Sequence, residues 1–594
     1  MPQILLSAGV CRSVPLDSEI EKLARTLALK NALEHGGKAA FDAVISKFIG
    51  SRPDKRAEIK SLIPEIKAVV QAVNAMPAAE QKALLEQLAP GELEAKKTHA
   101  ESGPRLPPLE GAVMGSVVTR FPPEPNGYPH IGHAKAAIID EEYARMYQGK
   151  LVLRFDDTNP LKEKLEYYGA IAEGLKWLGV KPDIVKNTSD DISKIHELGK
   201  KLVEAGGAYV CTCSQDKIHD LRAKGLPCEC RLLDHSTALD RMGRMFDGSY
   251  EQNQAIIRFK GDMADQNTAM RDPTLFRIIE GAHPLLGNRV RVWPTYDFAA
   301  PIEDSLDGVT HAMRTKEYEL RNALYYAILD RLAMRTPVMI EFSRLEFEGI
   351  PVSKRKIRPL IDNGTISSWD DPRLPTLSAF RRRGFVPEAI RKFVLSLGIT
   401  LAETKPPFES LEAYNRKVID PTSMRLFFVR DPVEVQIEGA APMEVTLKNH
   451  PTDASLGSRK VRVSDRVYIA GEDAANLKAG DEVRLIELYN IRIKQIIKQE
   501  GGKVASIVAE VGGDEIRQSM PKIQWIAKND IVEFKVMIPK ELYIGEEYNT
   551  KSLEIAKGGA ESFAAALAPD TCVQFVRFGF CRIDGNNTAI LTHR

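Results

Sequence analysis

Apolar residues recur at spacings of three and four from residue 18 to about residue 96, as in SEIEKLARTLALKNALEH and RAEIKSLIPEIKAVVQAVNAM. That period predicts amphipathic helices without strands, so residues 1–96 read as a helical N-terminal domain. The period stops in AKKTHAESGPRLPPLEGA, whose three prolines, two glycines and polar residues predict an extended linker over residues 97–112. From there strands alternate with helices. GSVVTRF and LVLRFDD read as strands, and HIGHAKAAIIDEEYARMY and KLEYYGAIAEGLKWLG as helices, an order that predicts a doubly wound parallel sheet. PEAIRKFVLSLGI continues as helix. After Pro432 the period falls to two in VEVQIEG, MEVTLKN, RVYIA, EVRLIELYNIRI, VASIVAEV, IVEFKVMI and CVQFVRFGFCRID, with Gly, Asn and Asp between them. Short strands at that density predict one or two antiparallel barrels filling residues 433–594.

Composition narrows the class. A chain of 594 residues has room for three to five domains, and 43% hydrophobic with 27% charged residues excludes a disordered or fibrous protein. No apolar run approaches the roughly 18 residues of a spanning helix, and MPQILLSAGV lacks the basic start and long apolar run of a secretory signal. The expectation is a cytoplasmic protein with no membrane partner. Lys plus Arg (82) balance Asp plus Glu (81), so any nucleic acid must be held by local patches and not by a global basic field. Four of the seven cysteines fall within twenty residues, as Cys211-Thr-Cys213 and Cys228-Glu-Cys230. Two close pairs suit a tetrahedral structural Zn2+, although one intervening residue is tighter than the usual two to four; reduced, unliganded thiols are the alternative.

Two segments carry chemistry. The first runs Arg120-Phe-Pro-Pro-Glu124-Pro125-Asn126-Gly-Tyr-Pro129-His130-Ile-Gly132-His133, between a strand and a helix. Pro129 suits a helix start, and His130 and His133 share one face of the first turn. Free amides and the positive dipole end favour an anion there, two imidazoles add donors aimed at a phosphate, and Gly132 leaves room for a nucleotide to approach the backbone. The second is Pro351-Val-Ser353-Lys354-Arg355-Lys356, after IEFSRLEF and a Gly349 placed to act as a hinge. Mobile lysines of this kind stabilise charge on a departing pyrophosphate without a covalent step. Taken alone, the segment reads as a solvated basic loop; paired with the histidines it reads as catalytic.

These segments resemble the paired signatures of class I aminoacyl-tRNA synthetases. LRFDDTNP, WPTYDF, GVTHAMRTKE, EFSRL, SKRK and WDDPRLPTLSAFRRRG occur in that order over residues 117 to about 400 and resemble the glutamyl and glutaminyl branch. The KNALEHGGKA opening and all-β ending are similar to the archaeal type of glutamyl enzyme. PVSKRK departs from the general class I pattern at Pro351 and Arg355, where Lys and Ser stand elsewhere, a variation this branch commonly carries.

The resemblance implies a multidomain α/β protein: helical residues 1–96, a linker over 97–112, and a Rossmann-like catalytic domain over 113–345. An acceptor-stem insertion at about 205–290 interrupts that domain, a segment over 346–432 carries the SKRK loop and a helical stem contact, and an anticodon-binding β-barrel region fills 433–594. It implies L-glutamate, ATP with Mg2+, and tRNA(Glu) as partners, with tRNA(Gln) a further candidate acceptor and the N-terminal helices a candidate protein-binding appendage. His130, His133, Ser353, Lys354 and Lys356 fall in catalytic positions, and Glu124, Pro125, Asn126, His130, Gly132, His133 and Lys354 in ATP-binding ones. Asp156 would face the α-amino group from the carboxyl end of its strand, with Asp157 capping the turn; Arg120, Tyr296 and Arg314 would surround the substrate side chain. Arg373 and the run Arg381-Arg382-Arg383 are candidate phosphate contacts or a solvated face. Other readings are a glutaminyl-tRNA synthetase, a truncated paralogue that glutamylates a tRNA base, and a non-synthetase nucleotidyltransferase. The length, the SKRK loop and the β region argue against the last two.

Overall fold

In the computed structural model, which describes residues 18–34, 37–52, 55, 59–89, 106–403, 405–517 and 519–594, the N-terminal helix period becomes four helices. These are α1 (Ser18–Glu34), α2 (Phe41–Ser51), α3 (Ile59–Asn74) and α4 (Ala78–Leu88). Their apolar stripes meet in one core around Ala24, Ala28, Leu29, Phe48, Ile66 and Val73. Two buried amide side chains tie its backbone: Gln81 Nε2 donates to the Val73 carbonyl at 2.8 Å, and Asn31 Oδ1 accepts from the Ala40 amide at 2.7 Å. This compact unit ends at Arg105, and a second spans Leu106–Arg594. The first seventeen residues and the first half of the expected linker lie outside the described residues.

Residues 106–112 are not an extended linker. Leu106 and Leu109 are buried in the core of the second unit, the Leu109 amide donates to the Tyr147 hydroxyl at 2.8 Å, and the Pro107 carbonyl accepts from Tyr143. The prolines that suggested a spacer here hold two leucines extended over that core.

Strand–helix alternation then builds β1 (Val118–Phe121), α5 (Ile131–Met146), β2 (Lys150–Phe155), α6 (Leu165–Trp177) and β3 (Ile184–Asn187). The three strands are parallel in the order β1-β2-β3. After α7 (Ile192–Glu204), an antiparallel sheet of β4 (Ala208–Cys211), β5 (Ile256–Phe259), β6 (Thr274–Ile278) and β7 (Val292–Pro294) interrupts the alternation. The parallel pattern resumes with α8 (Tyr296–Leu306), β8 (His311–Thr315) and β9 (Val338–Phe342), and β8 and β9 pair in parallel. The Thr310 amide donates to the Val118 carbonyl at 2.9 Å, so β8 runs beside β1. The chain therefore winds one way from β1 to β3 and the other way from β8 to β9. The crevice at the carboxyl ends of β1 and β8 is the topological switch point where such sheets bind ligands.

Beyond helices α9 (Lys354–Asp362), α10 (Leu377–Arg383), α11 (Pro387–Leu397) and α12 (Phe408–Ile419), period-two patterning yields two seven-stranded barrel-like sheets. One combines residues 424–430 with 531–593; the other is formed wholly within 433–527. The second is thus inserted into the first, an arrangement that strand periodicity alone cannot reveal. The strand Val433–Glu438 of the inserted sheet shows the alternation, with Val433, Val435 and Ile437 buried and Glu434, Gln436 and Glu438 more open.

Candidate active site

Between β1 and α5 the chain is bound to a distant segment. The Ile131 amide donates to the Pro375 carbonyl at 3.1 Å and the Leu377 amide to the Pro129 carbonyl at 2.9 Å, so the LPTL peptide fixes the start of α5. His130 is the N-cap. Its Nδ1 accepts from the Gly132 amide at 3.1 Å, while the His130 amide donates to His133 Nδ1 at 3.2 Å. Each Nδ1 being an acceptor, each neutral ring carries its proton on Nε2, which has no partner among the described residues. The rings lie 4.0 Å apart between centroids. Burial and the Lys354 charge lower the His133 pKa to about 4, and burial, His133, Lys354 and Arg344 push His130 well below the usual imidazole value. Two neutral N–H donors at a helix N-terminus form a polar cradle for phosphate oxygens.

A Cβ at Gly132 would meet the His130 ring at 3.0 Å, so the missing side chain lets that imidazole fold onto the helix start. Gly127 was not singled out from the sequence, yet a Cβ there would overlap Cε and Nζ of Lys354. The lysine lies across this glycine and donates to Asn126 Oδ1. Burial pushes the Lys354 ammonium down, and the exposed Glu124 pulls it back up. Arg344, in the EFSRL segment, acts on His130 and was likewise not predicted. Ser353 is the exposed N-cap of α9, with no capping hydrogen bond from its side chain.

Lys356 points elsewhere. Its Nζ pairs with Glu546 at 2.7 Å and lies over the Tyr543 ring, and the Tyr543 hydroxyl donates to the Lys356 carbonyl at 2.9 Å. Leu542 is buried with Ile357, Leu360 and Ala379, and the Tyr543 amide donates to the Gly349 carbonyl at 3.0 Å. A hairpin from the C-terminal region thus clamps the helix that begins with Lys354. Gly349, with φ +68°, forms a pinned turn and not a free hinge.

The amino-acid side of the crevice is built from strand ends. Arg120 (β1), Arg314 (β8), Tyr318 and Asp156 all act on the Tyr296 phenol, which burial pushes up to about 12. Arg120 donates to the Met313 carbonyl at 2.5 Å and pairs with Asp304 at 3.0 Å. Arg314 differs. It is 6% exposed, its Nε and one terminal nitrogen have no hydrogen-bond partner among the described residues, and its guanidinium rests against Tyr318 and Tyr325 at 5.9 and 5.5 Å. Asp156 accepts on one oxygen from Arg154 at 3.1 Å and Thr188 at 3.0 Å. Burial raises its pKa, against the pull of Arg154. Asp157 is fully buried, bonded to the Ser189 amide and hydroxyl and to Tyr168 at 2.7–2.9 Å, and braces the turn.

Two further clusters bring potential metal ligands together. Cys211 and Cys228 lie 3.8 Å apart between sulfurs, as do Cys213 and Cys230, and all four sulfurs fall within 4.8 Å of one another. Four ligands at about 2.3 Å in a tetrahedron are about 3.8 Å apart, so the donor set fits Zn2+. Arg258 and Arg241 flank it, 3.7 Å from Cys228 and 3.3 Å from Cys230. Asp191, Glu303 and Asp307 instead close on Lys186, with Glu303 at 2.9 Å and Asp307 at 2.8 Å, so their charge is met within the protein. Of the four candidate phosphate-binding arginines, Arg373 is buried against Asp371, Arg383 against Glu412, and Arg382 pairs with Asp584. Arg381 alone is exposed, with no bonded side-chain partner among the described residues.

Residues 116–421 match the catalytic domain of the tRNA synthetases class I (E and Q), and residues 423–512 and 522–584 match two anticodon-binding domains of that family. The chain is 49% identical to the glutamate–tRNA ligase of Cenarchaeum symbiosum, over 97% of its length and 100% of the relative's. This chain belongs to the class I (E and Q) tRNA synthetases. The synthetase is also 39% identical to the glutamate–tRNA ligase of Pyrococcus abyssi, over 95% of its length and 97% of that protein's. A crystal structure of a glutamate tRNA ligase from Elizabethkingia meningosepticum, in complex with its amino acid, aligns at a TM-score of 0.39 and 19% identity, covering 52% of this synthetase and 70% of that chain. Among the described residues no helix is long and apolar enough to cross a membrane.

Proposed function

We propose that this synthetase activates L-glutamate with ATP to glutamyl-adenylate and transfers the glutamyl group to the 3'-terminal adenosine of tRNA(Glu), with tRNA(Gln) a further candidate acceptor. The observation that carries the reading is the unsatisfied Arg314 guanidinium, buried at the switch-point crevice without a carboxylate. A γ-carboxylate supplies the missing acceptor through charge-assisted bonds; a glutamine amide would turn an NH2 donor toward a cation. Arg120 and Tyr296 complete the side-chain shell, and the second Asp156 oxygen receives the α-amino group. The glutamate–tRNA ligases among the relatives support the same substrate.

ATP enters as its Mg2+ complex, with its phosphates over α5 beside Glu124, Pro125, Asn126 and Gly132. A carboxylate oxygen of glutamate attacks the α-phosphate and pyrophosphate leaves; the 2'-hydroxyl of the terminal adenosine then takes the acyl group and AMP departs. No residue becomes a covalent nucleophile. His130 and His133 donate from Nε2 to charge gathering on phosphate oxygens, and Lys354 moves from Asn126 onto the leaving group. Ser353 and Lys356 shape the loop, and the latter answers to the C-terminal hairpin. Residues 113–345 form the catalytic domain, with the insertion at about 205–290 holding the acceptor stem, 346–432 supporting it, and 433–594 reading the anticodon.

Aminoacylation of tRNA(Glu) and tRNA(Gln), each with radiolabelled glutamate and glutamine, tests the reading. Glutamate on tRNA(Glu) and no glutamine on either is the expected pattern. A preference for glutamine overturns it.

The four clustered cysteines would hold one structural Zn2+ that fixes the tip of the insertion, outside the chemical steps. Elemental analysis of protein purified without chelators should find about one Zn2+ per chain. Metal-free protein that is folded and fully active would rule the ion out.

A further inference from the structure

Of the four residues assigned to glutamate recognition, Arg120, Asp156 and Arg314 stand on or at the ends of separate strands, yet their supports converge on one side chain. Asp304, on α8, is 0% exposed. Its Oδ1 accepts from Arg120 Nε at 3.0 Å, and a terminal nitrogen of Arg154 lies 2.9 Å from the same oxygen as an ion pair. Its Oδ2 accepts from the Tyr325 hydroxyl at 2.9 Å. Each of these partners holds a different part of the pocket. Arg120 grips the Met313 carbonyl, one residue before Arg314. Arg154 donates to Asp156 from its Nε and to Asp307 at 2.9 Å from its other terminal nitrogen. Tyr325 presents its ring to the Arg314 guanidinium.

We propose that Asp304 is the positioning residue of the amino-acid pocket: one buried carboxylate that orients Arg120, Arg154 and Tyr325, and through them Asp156 and Arg314, to receive both charged ends of glutamate. The inference rests on the assignment of Arg120, Asp156 and Arg314 under Proposed function.

Geometry singles out this carboxylate among its neighbours. Glu303, adjacent on the same helix, turns to Lys186 and touches none of the three recognition residues. Asp140 lies near Arg120, but one of its oxygens has no partner among the described residues and burial pushes its pKa well up, whereas Asp304 bonds Arg120 directly. Burial also pushes Asp304 up, yet Arg120 and Arg154 more than reverse this, and it stays ionised between two guanidiniums. Two arginines held by one anion have fixed planes. Without it, Arg120 and Arg154 repel each other, and Arg154 is left to Asp156 and Asp307 alone.

The test uses full-length enzyme in tRNA-dependent pyrophosphate exchange. Asp304→Asn keeps the volume and removes the charge. Its Michaelis constant for glutamate should rise by about a hundredfold, while that for ATP stays within about threefold. Tyr325→Phe, which removes only the hydroxyl on Oδ2, should raise the glutamate constant by about three- to tenfold. Glu303→Gln controls for loss of a buried carboxylate on the same helix and should leave the glutamate constant within about threefold. A folded Asp304→Asn enzyme with the parent's glutamate constant overturns the inference, as does a Glu303→Gln enzyme impaired equally. If Asp304→Asn does not fold, Tyr325→Phe decides, and an unchanged glutamate constant counts against Asp304. A parent enzyme that prefers glutamine would instead overturn the substrate reading.

Discussion

Changing Arg314 to cysteine raises the Michaelis constant for glutamate by about a hundredfold or more, leaves that for ATP within a few fold, and lets glutamine be charged weakly. The size follows from the site. The guanidinium is buried, two of its nitrogens lack acceptors, and its near neighbours are tyrosine faces and not carboxylates. The pocket therefore carries a standing positive charge that only an anionic ligand neutralises. Leaving such a charge unpaired costs on the order of several kcal/mol, which is the range in which polar pockets reject an uncharged isostere. Arg120 cannot compensate, because its guanidinium is committed to Asp304 and the Met313 carbonyl. Initial rates of aminoacylation at varied glutamate and glutamine check the result. A variant that charges glutamate as the parent does would show that Arg314 is a structural arginine, and that the γ-carboxylate is bound elsewhere.

What the sequence disclosed and what it hid divide along contact distance. The His130–His133 spacing and the SKRK run are local patterns, each visible in a short window, and the resemblance they carry is what pointed to Arg120, Asp156 and Arg314. Strand periodicity found the β region for the same reason. Asp304 stands in YDFAAPIEDSL, where nothing separates it from an ordinary helical acid; its partners lie 184, 150 and 21 residues away. Gly127 is one glycine in a turn until Lys354, more than two hundred residues on, lies across it. The arginine run looked basic because the acids that meet Arg383 and Arg382, Glu412 and Asp584, lie 29 and 202 residues away. Residues 106–112 looked like a spacer because composition records prolines and not the leucines' destination.

The hairpin around Tyr543 is the most consequential of these hidden contacts. It is a separate two-stranded hairpin, Tyr543–Ile544 with Glu547–Tyr548, within the second anticodon-binding match, yet it bonds to Lys356 and buries Leu542 against α9. The helix that begins with Lys354 thus packs on the hairpin as well as on its own domain. Lys356, two positions along, faces the hairpin and so bears on this packing more than on the phosphates.

Replacing His133 by alanine slows adenylate formation by about one to three orders of magnitude, the usual effect of removing a transition-state donor. The structure adds a condition on pH. Burial and Lys354 hold the His133 pKa at about 4, and His130 is depressed as well, so both rings are neutral near pH 7 and donate through Nε2–H. The parent's kcat/KM for ATP, which reports the free enzyme, should therefore show no inflection from these histidines between about pH 6 and 8. Stability should show one. A histidine whose folded pKa lies below its unfolded value of about 6.5 binds fewer protons in the native state, so stability rises with pH between about 4 and 6.5, and is lost as pH falls through that window. Thermal denaturation between pH 7 and 4 checks the sign: the parent should lose more stability on acidification than His133→Asn, which has nothing to protonate. A kcat/KM inflection near pH 6.5 that vanishes in the His133 variant would mean that the rings bind phosphate as cations, and that neutral donation is wrong.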